Sequence, residues 1–436
     1  MKWIDLMNVR EKAVVLLSEN EKNGGFINLS LNEALKENFS DVDKSLLTIL
    51  VNGTLQKKIL LDFYLKKYVK KDYEKTNVKI KNILRISCYQ ILFMDRIPPS
   101  AAINEGVKIA KKFKGAFMGN FVNAVLRSIS REKDMLLKEE IPSEINSLVP
   151  KYIYDIWALS YGETVANTIA ENMQTIPKTT IVLNSANFKT EEILSDLKKE
   201  KIEIDENLNL KTPIDLTTLE TFKKGEFFVQ GNSSKMACKI INAKENEKIL
   251  DLCAAPGGKT FNMQISADNK AYIVACDLKK SKTDMIRKTA NRLDLKIDVL
   301  ENDATILRED FLGKFDKVLC DVPCSGFGSI KKKRDIINKE QSDFNELIEI
   351  QQKILENSAK YLKVGGTLFY STCTLNAREN EENIQKFIEN NKNFKIISIK
   401  DEFLNAIPCK IYTDYVTILP SIDYDGFFIA KLRKEK

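Results

Sequence analysis

The sequence predicts an α/β protein in three parts: a helical front domain over residues 1–135, a small α/β connecting module over 136–235, and an α/β domain with a mainly parallel sheet over 236–436. Three observations carry that prediction. A chain of 436 residues is longer than one core usually supports. Its first part shows apolar residues at helical spacing, with few glycines and no strand-like alternation. From about residue 236, short β-rich runs alternate with helical stretches, and the runs end in acidic residues.

In the front domain the helical pattern is clearest in Val78-Ile80-Ile83-Leu84-Ile86 and Ile103-Val107-Ile109-Ala110-Phe113. Pro98-Pro99-Ser100 separates these two helices, with Ser100 expected to cap the second. Lysines crowd the region at 66, 67, 70, 71, 75, 79 and 81, then at 108, 111, 112 and 114. A solvated face and a phosphate-binding surface both fit that density. In the connecting module Thr180-Ile181-Val182-Leu183 and Glu226-Phe227-Phe228-Val229 read as strands around a helix from Glu191 to Lys201. The last domain has strands ending at Asp251, Asp277 and Asp321, helices over Lys280 to Leu293 and Phe344 to Leu362, and a hairpin-like turn and strand from Val364 to Tyr370.

Composition removes several chemistries. Hydrophobic content of 43% with 30% charged residues describes a soluble globular protein. No apolar run approaches the ~18 residues of a membrane span, and no signal-peptide core opens the chain, so a cytoplasmic, non-membrane protein is expected. Histidine is absent, which excludes a Ser-His-Asp triad, a Cys-His dyad and the usual His-containing zinc sites. The eight cysteines, at 88, 238, 253, 276, 320, 324, 373 and 409, include no C-x-x-C pair, so neither a disulfide framework nor a metal is expected. Proton transfer near neutral pH then falls to Cys, Asp, Glu, Lys or water. The formal charge of +7 is a weak signal for a nucleic-acid partner.

The sharpest segment is Asp251-Leu252-Cys253-Ala254-Ala255-Pro256-Gly257-Gly258-Lys259-Thr260, a strand end, a small-residue turn and a helix start. Such a turn lets a ligand approach the backbone. A G-x-x-x-x-G-K-S/T phosphate loop would need glycine at 253, where Cys253 stands, and Pro256 lacks an amide donor. Asp277, at the end of the next strand, suits ribose hydroxyls, and Asp303, after the strand that follows, suits an adenine amino group. The spacing fits an adenosine-bearing ligand without a pyrophosphate and a nicotinamide cofactor equally.

Two cysteine segments separate those readings. Cys324 lies in Asp321-Val322-Pro323-Cys324-Ser325-Gly326, just past a strand, and Cys373 ends a later strand in Ser371-Thr372-Cys373-Thr374. Any single cysteine is more often a packing residue, as expected for Cys253, Cys276 and Cys320. Polar neighbours and a shared strand-end position favour chemistry for Cys324 and Cys373. Cytosine C5 is a poor nucleophile until a thiolate adds to C6, and an acid such as Asp321 near N3 would stabilise that adduct. A second cysteine or a water then serves as the base for elimination. The chemistry does not rank the two cysteines.

Together these segments resemble the RsmB/Sun family of bacterial 16S ribosomal-RNA cytosine-C5 methyltransferases. Leu252 to Thr260 resembles its cofactor loop, Asp321 to Gly326 and Ser371 to Thr374 its cysteine motifs, and Asp425-Gly426-Phe427-Phe428-Ile429-Ala430 its closing strand. Leu84 to Leu92, Ile97 to Glu105 and Asn120 to Arg127 resemble the NusB-type RNA-binding domain. The resemblance implies a Rossmann-like S-adenosylmethionine-dependent methyltransferase domain behind a NusB-like one, acting on ribosomal RNA as a monomer without metal. It implies Cys373 as nucleophile, Cys324 as helper in product release, and Asp321 beside the methyl group and target base. It also implies cofactor contacts from Cys253, Ala254, Ala255, Pro256, Gly257 and Gly258, from Lys259 to the carboxylate end, from Asp277 to the ribose, from Asp303 to the adenine, and from Lys282 and Asp321.

Three positions depart from the family pattern. Ile330-Lys331-Lys332-Lys333-Arg334-Asp335 lacks a His-Pro but keeps the basic charge, Gln230-Gly231-Asn232 replaces a Gln-Asp pair, and Lys282 stands where arginine is usual. The alternatives are the same chemistry on tRNA or another rRNA site, and a non-catalytic RNA-binding assembly factor. The factor leaves the paired cysteines unexplained, and a dehydrogenase leaves Cys373 idle.

Overall fold

In the computed structural model the described residues are 8–23, 27–69, 73–142, 145, 148–175, 177–212, 214–338, 343–399, 404, 405, 407, 410–412 and 414–436. Lys70, Lys71 and Cys409 lie outside them. The chain forms two units, one of Met1–Asp155 with Lys332–Glu340, the other of Ile156–Lys331 with Gln341–Lys436.

The first unit is helical: α1 (Val9–Asn23), α2 (Ile27–Ala34), α3 (Asp41–Gln56), α4 (Lys58–Tyr68), α5 (Val78–Phe93), α6 (Pro99–Arg131) and α7 (Lys133–Lys138). α5 is buried nearly all round, so its polar residues need partners. Arg85 meets Asp62 with a fork, Nε to Oδ1 at 2.6 Å and Nη2 to Oδ2 at 2.7 Å, and reaches Glu21 at 2.8 Å. A guanidinium so deeply buried is tolerable only when paired in this way. The expected cap at Ser100 is not observed. α6 starts at Pro99, with Pro98 extended before it and no side-chain cap, because proline's fixed φ suits the first helical position. The helix breaks at Lys114 and Gly115, where Gly115 takes φ 78°. A short 3-10 turn (Arg334–Asn338), returned from far along the chain, completes this unit. Ile336 and Ile337 are buried, and Asn338 accepts from Lys58 at 2.8 Å and donates to Asn20 at 3.1 Å.

The second unit takes in the end of α8 (Lys151–Tyr161) and all of α9 (Glu163–Met173), followed by β1 (Ile181–Leu183) and β2 (Phe227–Val229), an antiparallel pair. Between them lie α10 (Thr190–Lys199) and α11 (Glu220–Lys223). Ile181, Ile193, Leu197 and Phe227 form their own small core.

The main sheet contains β3 (Lys248–Asp251), β4 (Tyr272–Asp277), β5 (Ile297–Glu301), β6 (Phe315–Asp321), β7 (Leu362–Thr372), β8 (Phe394–Ile396), β9 (Lys410–Tyr412), β10 (Val416–Ile418) and β11 (Phe427–Lys434). Its order is β5-β4-β3-β6-β7-β11-β10-β9, with β8 also on β11. β3 to β7 run parallel, and β8 to β11 add an antiparallel end. The chain winds outward from β3 to β5, then returns to place β6 on the other side of β3. That reversal opens a crevice at the carboxyl ends of β3 and β6.

Side chains alternate across this sheet. Leu250, Val318, Cys320, Leu368, Tyr370 and Phe428 pack on one face with α15 (Asp343–Tyr361) and α16 (Glu381–Asn390). Ile249, Leu319, Phe369, Phe427 and Ile429 pack on the other with α12 (Asn232–Ile241) and Met263 of α13 (Gly258–Ser266). α14 (Lys280–Arg292) covers β4 and β5 through Ile286 and Ala290. The period of two along strands buried on both faces explains their near-continuous apolar runs. The hairpin-like turn expected at Val364 is absent. β7 continues through it as a bulge, Phe315 pairing with Leu362 and Lys317 with Thr367, and Gly365 supplies the left-handed residue at φ 80°.

Candidate active site

β3 delivers Asp251 to the floor of the crevice, and the turn to α13 runs over it. Gly257 has φ 104°, and a Cβ there would meet the Phe261 ring at 2.3 Å, so only glycine makes this turn. The turn is held by Ala254 N to Cys276 O at 2.8 Å, Gly257 N to Ala254 O at 2.7 Å and Ala255 N to Asp277 Oδ2 at 3.2 Å. The Ala255-Pro256 peptide is cis. Cys253 is half-buried beside Cys276 and Cys320, and burial pushes its thiol well above the usual range. Asp277, at the end of β4, lies 3.4 Å from Lys282 Nζ. Asp303 accepts from the Thr305 amide at 2.9 Å and hydroxyl at 2.6 Å.

Asp251 itself is buried. Thr260 Oγ1 donates to its Oδ2 at 2.6 Å, while Oδ1 has no hydrogen-bond partner. Burial pushes this carboxyl up to about 7, against the lowering effect of the Thr260 bond. Lys259, next along, pairs with Asp321 Oδ2 at 2.6 Å and lies 5.1 Å from the Phe427 ring centre. Burial alone would depress its ammonium, but Asp321 outweighs that and raises it. Ser371 donates to the other oxygen of Asp321 at 2.8 Å. One carboxylate thus ties the start of α13, the end of β6 and the end of β7.

The two cysteines meet just beyond those strands. Cys324 Sγ lies 3.4 Å from Cys373 Sγ, and both are partly buried. The loop carrying Cys324 is stitched to the one carrying Cys373 by Gly328 N to Cys373 O at 3.0 Å and by the Ser325 and Thr374 hydroxyls at 2.6 Å. A Cβ on Gly328 would fall 2.3 Å from the Gly426 carbonyl, so the loop lies flat against the start of β11 because both residues are glycine. The hydrogen bond to Cys373, then burial, raise the Cys324 thiol well above its usual range.

Sequence comparisons follow this geometry closely. Residues 238–433 match the family model of the 16S rRNA methyltransferase RsmB/F, and residues 7–131 match the NusB family. Probable ribosomal RNA small subunit methyltransferase B of Bacillus subtilis (strain 168) is 36% identical, over 98% of this chain and 99% of that protein. The chain belongs to the RsmB/F family of 16S rRNA methyltransferases. Ribosomal RNA small subunit methyltransferase B of Shewanella oneidensis is 30% identical over 98% of this chain and 99% of its own. The crystal structure of PH0851 shares the fold, with a TM-score of 0.78 at 23% identity over 97% of this chain and 98% of that one.

This chain is thus an RNA methyltransferase whose methyl donor is S-adenosylmethionine. The crevice suits that donor: the turn is lined by small side chains, Asp277 and Asp303 stand along one rim, and the buried Asp251 Oδ1 still lacks a donor. All the expected site residues lie at or just past the carboxyl ends of β3 to β7. Lys259 and Lys282, however, are each engaged with an aspartate, Asp321 and Asp277. The basic stretch after Cys324 is also less available than its charge suggested. Lys331 is buried, donating to the Ser421 and Tyr424 carbonyls at 2.6 Å each, and Arg334 belongs to the first unit. Sequence reading assigned Asp251 no role. A strand-ending acid before a small-residue turn is its only sequence signal. Among the described residues no cluster of acidic, cysteine or histidine side chains could hold a metal, and no helix is long and apolar enough to cross a membrane.

Proposed function

We propose that this enzyme methylates C5 of a cytosine in small-subunit (16S) ribosomal RNA through a covalent adduct between Cys373 and C6 of the base. The observation that carries the reading is the pair of sulfurs 3.4 Å apart beyond β6 and β7. Attack of the Cys373 thiolate on C6 opens the C5=C6 double bond and moves its electron pair toward C5, while N3 gains a proton. When bound, S-adenosylmethionine supplies an electrophilic sulfonium methyl group for that carbon. Cys324, or a water beside it, then takes the C5 proton, the double bond re-forms, the Cys373 thiolate leaves and N3 gives up its proton.

The division of labour between the sulfurs, Cys373 as nucleophile and Cys324 as helper, follows the family resemblance of their two motifs, since a 3.4 Å separation does not by itself rank them. Asp321, fixed by Lys259 and Ser371, is proposed to accept from the N3 edge of the base. Residues 253–258, Lys259, Asp277, Lys282 and Asp303 are proposed to hold the donor. The target base must leave its stack to reach this crevice. Residues 1–135 are proposed as the RNA-binding part, 136–235 as the connecting part and 236–436 as the catalytic part, the whole acting as a monomer in the cytoplasm.

Bisulfite sequencing of total RNA from cells with and without this protein tests the substrate. Loss of methylation at one 16S rRNA cytosine is expected. Loss confined to a tRNA would favour the same chemistry on that RNA, and an unchanged map would contradict both.

A further inference from the structure

Behind the two cysteine loops lies a buried carboxylate that no step above uses. Glu379 is fully buried, between Cys373 and the start of α16. Its side chain accepts from the Ser325 amide at 2.9 Å, from the Ser325 hydroxyl, from Gln351 Nε2 at 2.9 Å and from Asn376 Nδ2 at 2.9 Å. Ser325 follows Cys324 directly, and Asn376 belongs to the loop that leaves Cys373. Gln351 donates also to the Pro323 carbonyl at 2.9 Å, on the other side of Cys324. Among the described residues no lysine or arginine pairs with Glu379. A carboxylate has about four lone-pair sites, and here the four donors are neutral groups on three residues, Ser325, Gln351 and Asn376. Leaving a buried carboxylate short of donors is strongly unfavourable, so each of those residues is held to it.

We infer that Glu379 is a positioning residue that sets the Cys324 thiol against Cys373, and so governs release of the methylated base. This rests on the proposed roles of the two cysteines. Glutamine has the same shape but replaces one acceptor oxygen with an NH2 donor, so at least one of the four hydrogen bonds becomes a donor-to-donor clash, the rotatable Ser325 hydroxyl alone being able to reverse its bond. The Cys324 loop would then lose its register with Cys373, while the cofactor turn, built on β3 and α13, keeps its own bonds. Misplacement of a reacting group by about 1 Å costs about 100-fold in rate.

Glu379→Gln and the milder Ser325→Ala are compared with wild type and with Cys324→Ala. The first readout is oxidation of the two thiols by diamide, which takes up two electrons and two protons as the disulfide forms. The others are the kcat and KM for RNA, the S-adenosylmethionine Kd, and the RNA–protein adduct on a denaturing gel. Glu379→Gln should cross-link at least 10-fold more slowly and lose about 100-fold in kcat with KM and Kd held, while accumulating adduct. Ser325→Ala should move the same quantities part of the way, and it decides the matter if Glu379→Gln does not fold. Wild-type cross-linking and kcat in the folded variants would overturn the inference. If Cys324→Ala itself formed no adduct, the cysteine roles would fall, and the cross-linking rate would still decide whether Glu379 positions the pair.

Discussion

At the scale of single residues, the site works by placing acids where their charge is shaped by burial and by neighbours. Asp251 shows the cost. Its carboxyl is raised to about 7 in the folded chain, against about 4 when unfolded. A raised carboxylate pKa means stability that is full below about pH 4 and is lost as pH rises through about 7. Asp251→Asn removes that loss. Relative to wild type without cofactor, the variant should gain stability between pH 4 and 7, by on the order of 4 kcal/mol at most. Denaturant unfolding of both proteins across that range checks it, and a constant difference would contradict it. The residues proposed to carry the chemistry were legible as single letters in short segments, since Cys324, Cys373, Asp321 and Asp277 all end strands or follow them closely. Glu379 was not legible. It sits in Asn376-Ala377-Arg378-Glu379-Asn380-Glu381, which reads as a polar helix start, and only the folded chain shows its four donors.

At the scale of elements, strand ends and glycines set the geometry. The parallel strands were readable because burial on both faces writes apolar runs into them, each closed by an acid or a cysteine. The end of the sheet beyond β7 was less readable, since β8 to β10 are three-residue strands, β8 and β10 pairing with the distant β11 and β9 with β10. The bulge in β7 imitated a hairpin because Gly365-Gly366 is turn chemistry in either setting. Gly328 and Gly426 do more than permit a turn. They let the Cys324 loop touch the backbone of β11, with Gly426 N donating to Gly328 O at 2.8 Å. Gly328→Ala should therefore cost about 1–3 kcal/mol in unfolding and slow methylation, with S-adenosylmethionine binding little changed. Thermal melts, calorimetry and single-turnover assays separate these effects. A fully active, fully stable variant would mean that the close approach does not matter.

At the scale of the whole molecule, the helical front unit and the catalytic unit each carry the signature of a known family, and the fold class was open to reading from periodicity alone. What periodicity could not reveal is that residues 332–338, far along the chain, belong with the first unit. Ile336 and Ile337 are buried there, and Asn338 bonds to Lys58 and Asn20, more than 250 positions earlier, which no local pattern records. The lysine run is mixed. Lys81 is buried, and the exposed Lys66 and Lys67 pair with Glu74 and Glu139; Lys108, Lys111, Lys112 and Lys114 all lie exposed along α6, with Lys108 paired to Glu105 and Lys112 to Glu11. Reversing those four to glutamate should weaken RNA binding and flatten its dependence on log salt by about 0.7–0.9 for each phosphate no longer neutralised. Filter binding at several salt concentrations reads both, and an unchanged slope would leave the stretch a solvated face. The central claim, that two cysteines share one covalent turnover, has a more direct test. Cys324→Ala and Cys373→Ala are each incubated with substrate RNA and S-adenosylmethionine and run on a denaturing gel. Cys324→Ala should show a stable RNA–protein band and Cys373→Ala none, although both bind the cofactor. A band with Cys373→Ala and none with Cys324→Ala would exchange the roles, and no band from either would contradict the covalent route.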